Sequence, residues 1–236
     1  MNHTITFVGA GPGAADLITV RGLKALQNAD VVLFDALIDP NLLNDCRADV
    51  LRVDVGKRCS KGNAKPQSEI NALLIEYGLK YPNVVRLKGG DPSMFGRLDE
   101  EISAAKEAGL TVEVVPGVTA ALAAAAVAQT PLTRRGVTRS VRFLTATVGT
   151  AQPENNWDAA LNPSETLAFY MAGKQLGEIG QRLLAKGWSP TTPAMIVRGA
   201  SWTSEECLRL TLQELPQWHL AESVAPCLLM VGLALV

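Results

Sequence analysis

Histidine is the scarcest catalytic residue type in this 236-residue chain, with only His3 near the N-terminus and His219 in a polar stretch near the end. A Ser–His–Asp hydrolase or a histidine-ligated metal enzyme needs a better-placed imidazole than either. Aromatic residues make up 5%, too few for a protein that stacks the bases of single-stranded nucleic acid. A net charge of −1 gives no field to draw a nucleic acid or a membrane. Cys46, Cys59, Cys207 and Cys227 are scattered, with no C-x-x-C pair and no metal-ligand spacing. They read as reduced thiols of a cytoplasmic protein. The longest apolar runs, Val118–Ala128 and Pro226–Val236, fall far short of the roughly 20 residues of a membrane span. Met1-Asn2-His3-Thr4 lacks a basic n-region, and Thr4–Gly9 reads as a first strand, not a signal peptide. Carboxylates, Lys, Arg, backbone amides and a cofactor remain for chemistry.

What is present is globular: 47% hydrophobic and 19% charged residues. Short β-rich runs at Thr4–Gly9, Val31–Phe34, Val50–Asp54, Asn83–Leu87 and Thr111–Val115 alternate with helical patterns near 20–28, 40–46, 66–80 and 98–108. That alternation predicts a mostly parallel sheet with helical crossovers. Pro116-Gly117 then breaks the chain, and an alanine-rich helix follows over about 119–129. Strands at 141–146, 165–170, 193–198, 207–211 and 225–232, with a helix at 174–186, predict a mixed sheet in the second half. The expected organisation is therefore two α/β domains, 1–115 and 116–236.

Three small-residue loops follow predicted strands. Gly9-Ala10-Gly11-Pro12-Gly13-Ala14 fits G-x-G-x-x-A, and Asp35 ends the second strand, where a dinucleotide fold places its ribose-binding acid. Two details oppose a dinucleotide. Pro12 has no N–H for a pyrophosphate, and the next helix starts only after Thr19, a candidate N-cap, so no helix N-terminus meets the glycines. The second loop is Lys88-Gly89-Gly90-Asp91-Pro92, where Asp91 reads as an N-cap or as part of a ligand site. The third is Pro116-Gly117-Val118-Thr119-Ala120. Loops at strand C-terminal ends face the crevice where open α/β sheets bind ligands.

Charge is unevenly spread. Lys57, Arg58, Lys61 and Lys65 form one island of +4, and Arg134, Arg135, Arg139 and Arg142 form another, leaving −9 on the remainder. Such islands suit a polyanionic partner of limited size, arginine being fitted to carboxylates and phosphates. A solvated face is the alternative.

These residues resemble a known family. Val8–Gly13 with Leu17–Gly22, Val31–Asp35, Gly56-Lys57-Arg58, Arg86–Pro92, Phe95-Gly96-Arg97, Val115–Ala121 and Pro131–Gly136 are together similar to the tetrapyrrole (precorrin) methylases. Asp35, Gly56-Lys57-Arg58 and the Pro131–Gly136 run occurring together most resemble its uroporphyrinogen-III C-methyltransferase branch. The likeness is dense to about residue 145 and thinner beyond, with Tyr170-Met171 and Val197-Arg198-Gly199 as later anchors.

The resemblance implies a two-domain α/β homodimer with S-adenosylmethionine and a tetrapyrrole in the cleft between domains. It would methylate uroporphyrinogen III at C2 and C7 to precorrin-2 through precorrin-1, with a later precorrin or cobalt-precorrin as the alternative substrate. Cofactor contacts are implied for Pro12, Gly89, Gly90, Asp91, Met94, Thr119, Ala120, Met171 and Gly199. Asp35 and Lys57 match acid/base positions, and Arg97 an arginine assigned to the substrate proton, although a guanidinium is better suited to orienting a propionate. Glu100, Arg134 and Arg135 match substrate contacts. The sequence departs from the family at Leu98-Asp99, usually a glycine pair; at Arg134, often histidine; and at Thr145-Ala146-Thr147, usually Thr-Gly-His.

Overall fold

A computed structural model describes residues 3–56, 65–146, 156–159, 161–218 and 225–236. The chain divides into two compact units, Met1–Thr119 and Ala120–Val236. The division falls four residues after the 115/116 break expected at Pro116.

In the first unit, strands β1 (Thr4–Gly9), β2 (Val31–Phe34), β3 (Leu51–Asp54), β4 (Asn83–Lys88) and β5 (Thr111–Val115) form a sheet of order β3-β2-β4-β1-β5. Every pairing is parallel. Helices α1 (Val20–Gln27), α2 (Gln67–Lys80) and α3 (Leu98–Glu107) supply crossovers. Both faces of the sheet are covered, so inner strands are apolar at consecutive positions. Val8, Val32, Val85 and Leu87 pack with Leu26 of α1. Ile5, Phe7, Val31, Leu33 and Val84 pack with Ile70 and Leu74 of α2 and Ala105 of α3. Because all five strands run the same way, the loops after β1, β2, β4 and β5 emerge at one edge.

Local chemistry sets the element ends. Thr19 Oγ1 accepts from the Gly22 N–H at 3.1 Å and caps α1. Asp39 caps Pro40–Asp45, its Oδ1 accepting from Asn41 N at 2.9 Å, while its Oδ2 accepts from Ala15 N at 3.2 Å. This segment is a 3₁₀ helix, not the ordinary helix expected at 40–46. So short a piece does not repay α-helix nucleation and takes the tighter form.

In the second unit, β6 (Val141–Thr145), β7 (Thr166–Tyr170), β8 (Pro193–Arg198), β9 (Glu206–Thr211) and β10 (Cys227–Val231) form a sheet of order β6-β7-β10-β8-β9. Only β6 and β7 pair in parallel; the rest are antiparallel. Helix α4 (Ala120–Val127) lays small alanines against Ala168, Met195, Val197, Leu228 and Met230. On the opposite face α5 (Leu176–Ala185) packs Ile179 and Leu183 on Phe169, Ile196 and Leu229. Since β7 and β8 both run antiparallel to β10, they end at the same edge, where Met171 and Gly199 follow. No described helix is long and apolar enough to cross a membrane.

Candidate active site

The glycine loops of the first unit hold one another through backbone. Gly11 N donates to Gly90 O at 3.2 Å and Gly90 N to Gly11 O at 2.7 Å, a two-bond bridge between the loops after β1 and β4. A Cβ on Gly117 would lie 2.3 Å from Gly90 O, and one on Gly9 would lie 2.6 Å from Gly117 Cα. Close approach of three backbones therefore requires glycine at these places. Gly90 differs: its φ is +67° and nothing lies within 4 Å of where its Cβ would be. The loops close around Gly90 on the chain side and leave open space on the other, a cradle a side chain would fill.

Asp91 is a staple in this arrangement. Its Oδ2 accepts from Gly117 N at 2.9 Å, and its Oδ1 accepts from Ser93 N at 2.8 Å and from the Ser93 hydroxyl. It does not cap the following helix, because α3 starts after Arg97. The carboxylate fixes two loops. Pro12 (buried), Gly89, Gly90, Asp91, Met94 and Thr119 all lie in the loops along this edge.

The loop after β1 also settles the nucleotide question. It passes through a 3₁₀ turn at Ala15–Leu17 before α1 begins, so no helix N-terminus meets its glycines. Moreover β1 is flanked by β4 and β5, whereas the dinucleotide fold orders its strands 3-2-1-4-5.

Strain marks the same segments. Among the described residues, five non-glycines have positive φ, including Phe95 (52°), Arg97 (55°) and Met171 (56°). Left-handed backbone is unfavourable for such side chains and concentrates where function fixes it. In the second unit Ala121 N donates to Tyr170 Oη at 3.2 Å, so the first turn of α4, with Ala120, is tied beside Met171.

Arg97 and Glu100 engage each other. Arg97 Nε and Nη2 donate to the two Glu100 oxygens at 2.6 and 2.7 Å. The hydrogen bond to Glu100 raises the Arg97 pKa further above its ordinary value, so the group stays cationic. Arg134 and Arg135 lie on an exposed turn closed by Arg134 N to Thr138 O at 3.0 Å and the reverse bond at 2.9 Å. Of that basic island, Arg142 pairs with Glu165 at 2.9 Å, while Arg134, Arg135 and Arg139 make no ion pair among the described residues. Of the other island, Lys65 pairs with Glu69 at 2.6 Å. Lys57, with Arg58 and Lys61, lies outside the described residues.

Asp35 brings in partners the motif reading overlooked. Arg86 Nη2 donates to Asp35 Oδ1 at 2.6 Å and to Glu101 Oε1 at 3.2 Å. Lys88 Nζ donates to Glu101 Oε2 at 3.0 Å, and Gln67 Nε2 donates to Glu101 Oε1 at 3.2 Å. Burial works against charge on Arg86, but Asp35 and Glu101 outweigh it and raise its pKa. Burial first and Arg86 second hold the Lys88 ammonium below the ordinary lysine range. A sequence signal was available: Arg86 and Lys88 alternate with apolar residues in a strand otherwise fit for burial on both faces, and buried cations require counter-ions.

Comparison with known proteins decides the family. The model for Tetrapyrrole (Corrin/Porphyrin) Methylases matches residues 4–216. The chain belongs to the tetrapyrrole methylases. This methylase is 44% identical over 232 residues to siroheme synthase 1 of Pectobacterium atrosepticum, covering 97% of the chain and 47% of that protein. The chain thus spans about half the length of the curated relatives it matches. A Thermus thermophilus uroporphyrin-III C-methyl transferase, solved with S-adenyl homocysteine, superposes with a TM-score of 0.82 at 33% identity, covering 97% of this chain and 92% of that one. A cobalt precorrin-4 methyltransferase gives 0.84 at 30% identity, covering 99% and 96%. Among the described residues of this methylase, no group of three or more His, Cys, Asp or Glu is placed to hold a metal ion.

Proposed function

We propose that this tetrapyrrole methylase transfers methyl groups from S-adenosylmethionine to C2 and C7 of uroporphyrinogen III, giving precorrin-2 through precorrin-1, as a cytoplasmic homodimer. The observation that carries this reading is the Asp35 carboxylate, one oxygen fixed by Arg86 and the side chain 30% exposed, on the sheet edge that also presents the open Gly90 cradle. The fit to the cofactor rests on that cradle: backbone without a Cβ admits a ligand against Gly89 and Gly90, with Pro12, Met94 and Thr119 as further contacts of the same unit. When bound, S-adenosylmethionine supplies a methyl carbon already made electrophilic by its sulfonium.

The chain's own residues then have to position, and to receive a proton. Holding reacting atoms in line lowers a barrier by as much as about 7–11 kcal/mol in favourable cases. As the carbon–carbon bond forms and the carbon–sulfur bond breaks, positive charge is left on the macrocycle, because the ring carbon that gains the methyl carries no hydrogen. That charge is discharged by loss of a proton from an adjacent bridge carbon or pyrrole nitrogen, and Asp35 receives that proton. Lys57 serves as the acid/base partner. Arg97, kept cationic by Glu100, orients a propionate instead of acting as a base. Asp91 keeps the loop in shape and would also accept from the amino-acid end of the cofactor. Arg134 and Arg135 meet some of the substrate's eight carboxylates, for which arginine is the fitted cation.

A later precorrin or cobalt-precorrin substrate is the second reading, favoured by the equally good superposition on the cobalt precorrin-4 enzyme. Incubation with uroporphyrinogen III and S-adenosylmethionine separates the two. A mass gain of two methyl groups is expected, and an unmethylated product would sink the first reading.

A further inference from the structure

Strand β4 carries a buried charge cluster where packing alone calls for aliphatic side chains. Its alternation points Val84, Arg86 and Lys88 to the face covered by α2 and α3, and there Arg86 is 2%, Lys88 3% and Glu101 1% exposed. Sealed ion networks are poor sources of stability, and apolar replacements of equal volume often serve as well or better. The geometry indicates what these charges serve. One Arg86 nitrogen is shared between Glu101 and Asp35, at 3.2 and 2.6 Å, and Arg86 Nε is buried without a partner among the described residues. The guanidinium is oriented for the two carboxylates at the cost of its own full satisfaction.

We propose that Glu101 is the positioning residue of the proton acceptor: by sharing Arg86 with Asp35 and holding Lys88, it fixes where the Asp35 carboxylate sits. This rests on the reading of Asp35 as acceptor. Among the described residues, Asp35 bonds to Arg86 and feels the charge of Lys88, both on β4, while Glu101 of α3 bonds to both cations and neutral Gln67 of α2 bonds to Glu101. Removing Glu101 leaves two cations acting on one carboxylate, which then takes up a proton less readily. Removing Arg86 leaves two carboxylates facing each other, and protonation becomes easier. The two changes therefore act in opposite directions, which a purely structural role does not produce.

The test compares wild type, Glu101→Gln, Arg86→Met and Asp35→Asn in steady-state methylation of uroporphyrinogen III across about pH 5 to 9. Calorimetric affinity for S-adenosylhomocysteine reports on folding. Glu101→Gln is expected to lower kcat about ten-fold, with KM nearly unchanged and the acid limb of kcat moved to lower pH. Arg86→Met moves that limb to higher pH, and ¹³C NMR titration of labelled aspartate carboxyls shows the same opposed displacements without turnover. In the Asp35→Asn background, Glu101→Gln adds no further loss of kcat. Limbs that move together, or an additive loss on Asp35→Asn, overturn the proposal and leave the role of Asp35 standing. Wild-type kcat in Asp35→Asn overturns that role and the proposal with it. Where Glu101→Gln does not fold, Glu101→Asp keeps the charge and withdraws it by one methylene. It should lower kcat several-fold at unchanged KM, and full activity there counts against the proposal.

Discussion

Arg86 and Lys88 lie almost completely buried in the middle of the first unit's sheet, each within 3.2 Å of a carboxylate oxygen. Arg134, Arg135 and Arg139 stand on an exposed turn of the second unit with no ion pair among the described residues. The same side-chain chemistry is thus put to two uses. Buried, a cation is costly to desolvate, so it must have counter-ions, and the resulting network has one geometry that salt does not loosen. Exposed, a cation fixes nothing. It contributes field, attracts a polyanion, and is screened by salt. The first arrangement suits a proton acceptor that has to stay in place, and the second suits the gathering of a carboxylate-rich ligand.

The largest effect that would break this contrast is on stability. Glu101→Ala strips Arg86 and Lys88 of their shared partner and leaves buried charge uncompensated, at a cost of about 3–5 kcal/mol. Arg139→Ala, at an exposed position, should stay within about 0.5 kcal/mol of wild type. Urea unfolding of both variants measures the difference, and similar small losses would mean that water reaches the cluster.

A smaller effect is the pH dependence that the buried lysine confers. Burial, then Arg86, lowers the Lys88 pKa in the folded protein, so between that value and the ordinary lysine value the unfolded chain binds more protons. Stability owed to Lys88 therefore increases as pH rises through this alkaline window and is lost as pH falls below it. Exposed Lys80 runs the other way, because Glu76 raises its pKa. Its contribution is present at lower pH and lost as pH climbs. Melting curves at stepped alkaline pH should show that Lys88→Met removes a rising component, while Lys80→Gln removes a falling one. A rising component that survives in Lys88→Met would place its source elsewhere.

Much of this architecture was readable from local chemistry. The ten strands follow the β-rich runs closely, and Thr19, Asp39 and Pro40 mark element starts through their own backbone and side-chain preferences. The glycines were harder to read, because the sequence says only that a side chain is missing. At Gly9 and Gly117 the space is taken by neighbouring backbone, and at Gly90 it is open. Asp91 was equally ambiguous. An acid before proline announces a turn, but its bond to Gly117 joins segments 26 residues apart. Glu101 was hidden in an acidic helix start, Asp99-Glu100-Glu101, in which Glu100 turns out to Arg97 and Glu101 turns in to Lys88 and Arg86. Only tertiary packing distinguishes them. The role expected of Lys57 falls outside the described residues.

The smallest effect tests the exposed half of the contrast. Replacing Arg134 and Arg135 together by alanine touches no buried group, so folding stability should change by less than about 0.5 kcal/mol. If those arginines gather a polycarboxylate, KM for uroporphyrinogen III rises about five-fold at low ionic strength, roughly 1 kcal/mol, as for exposed ion pairs. The rise should shrink toward unity as salt shortens the screening length to about 3 Å near 1 M, while kcat stays at the wild-type value. A KM ratio that holds constant across salt would mean instead that the two guanidiniums are desolvated against the bound substrate. The second unit would then use its arginines much as the first uses Arg86, as fixed partners, and the contrast would lie in when the charges are buried: on folding in one unit and on binding in the other.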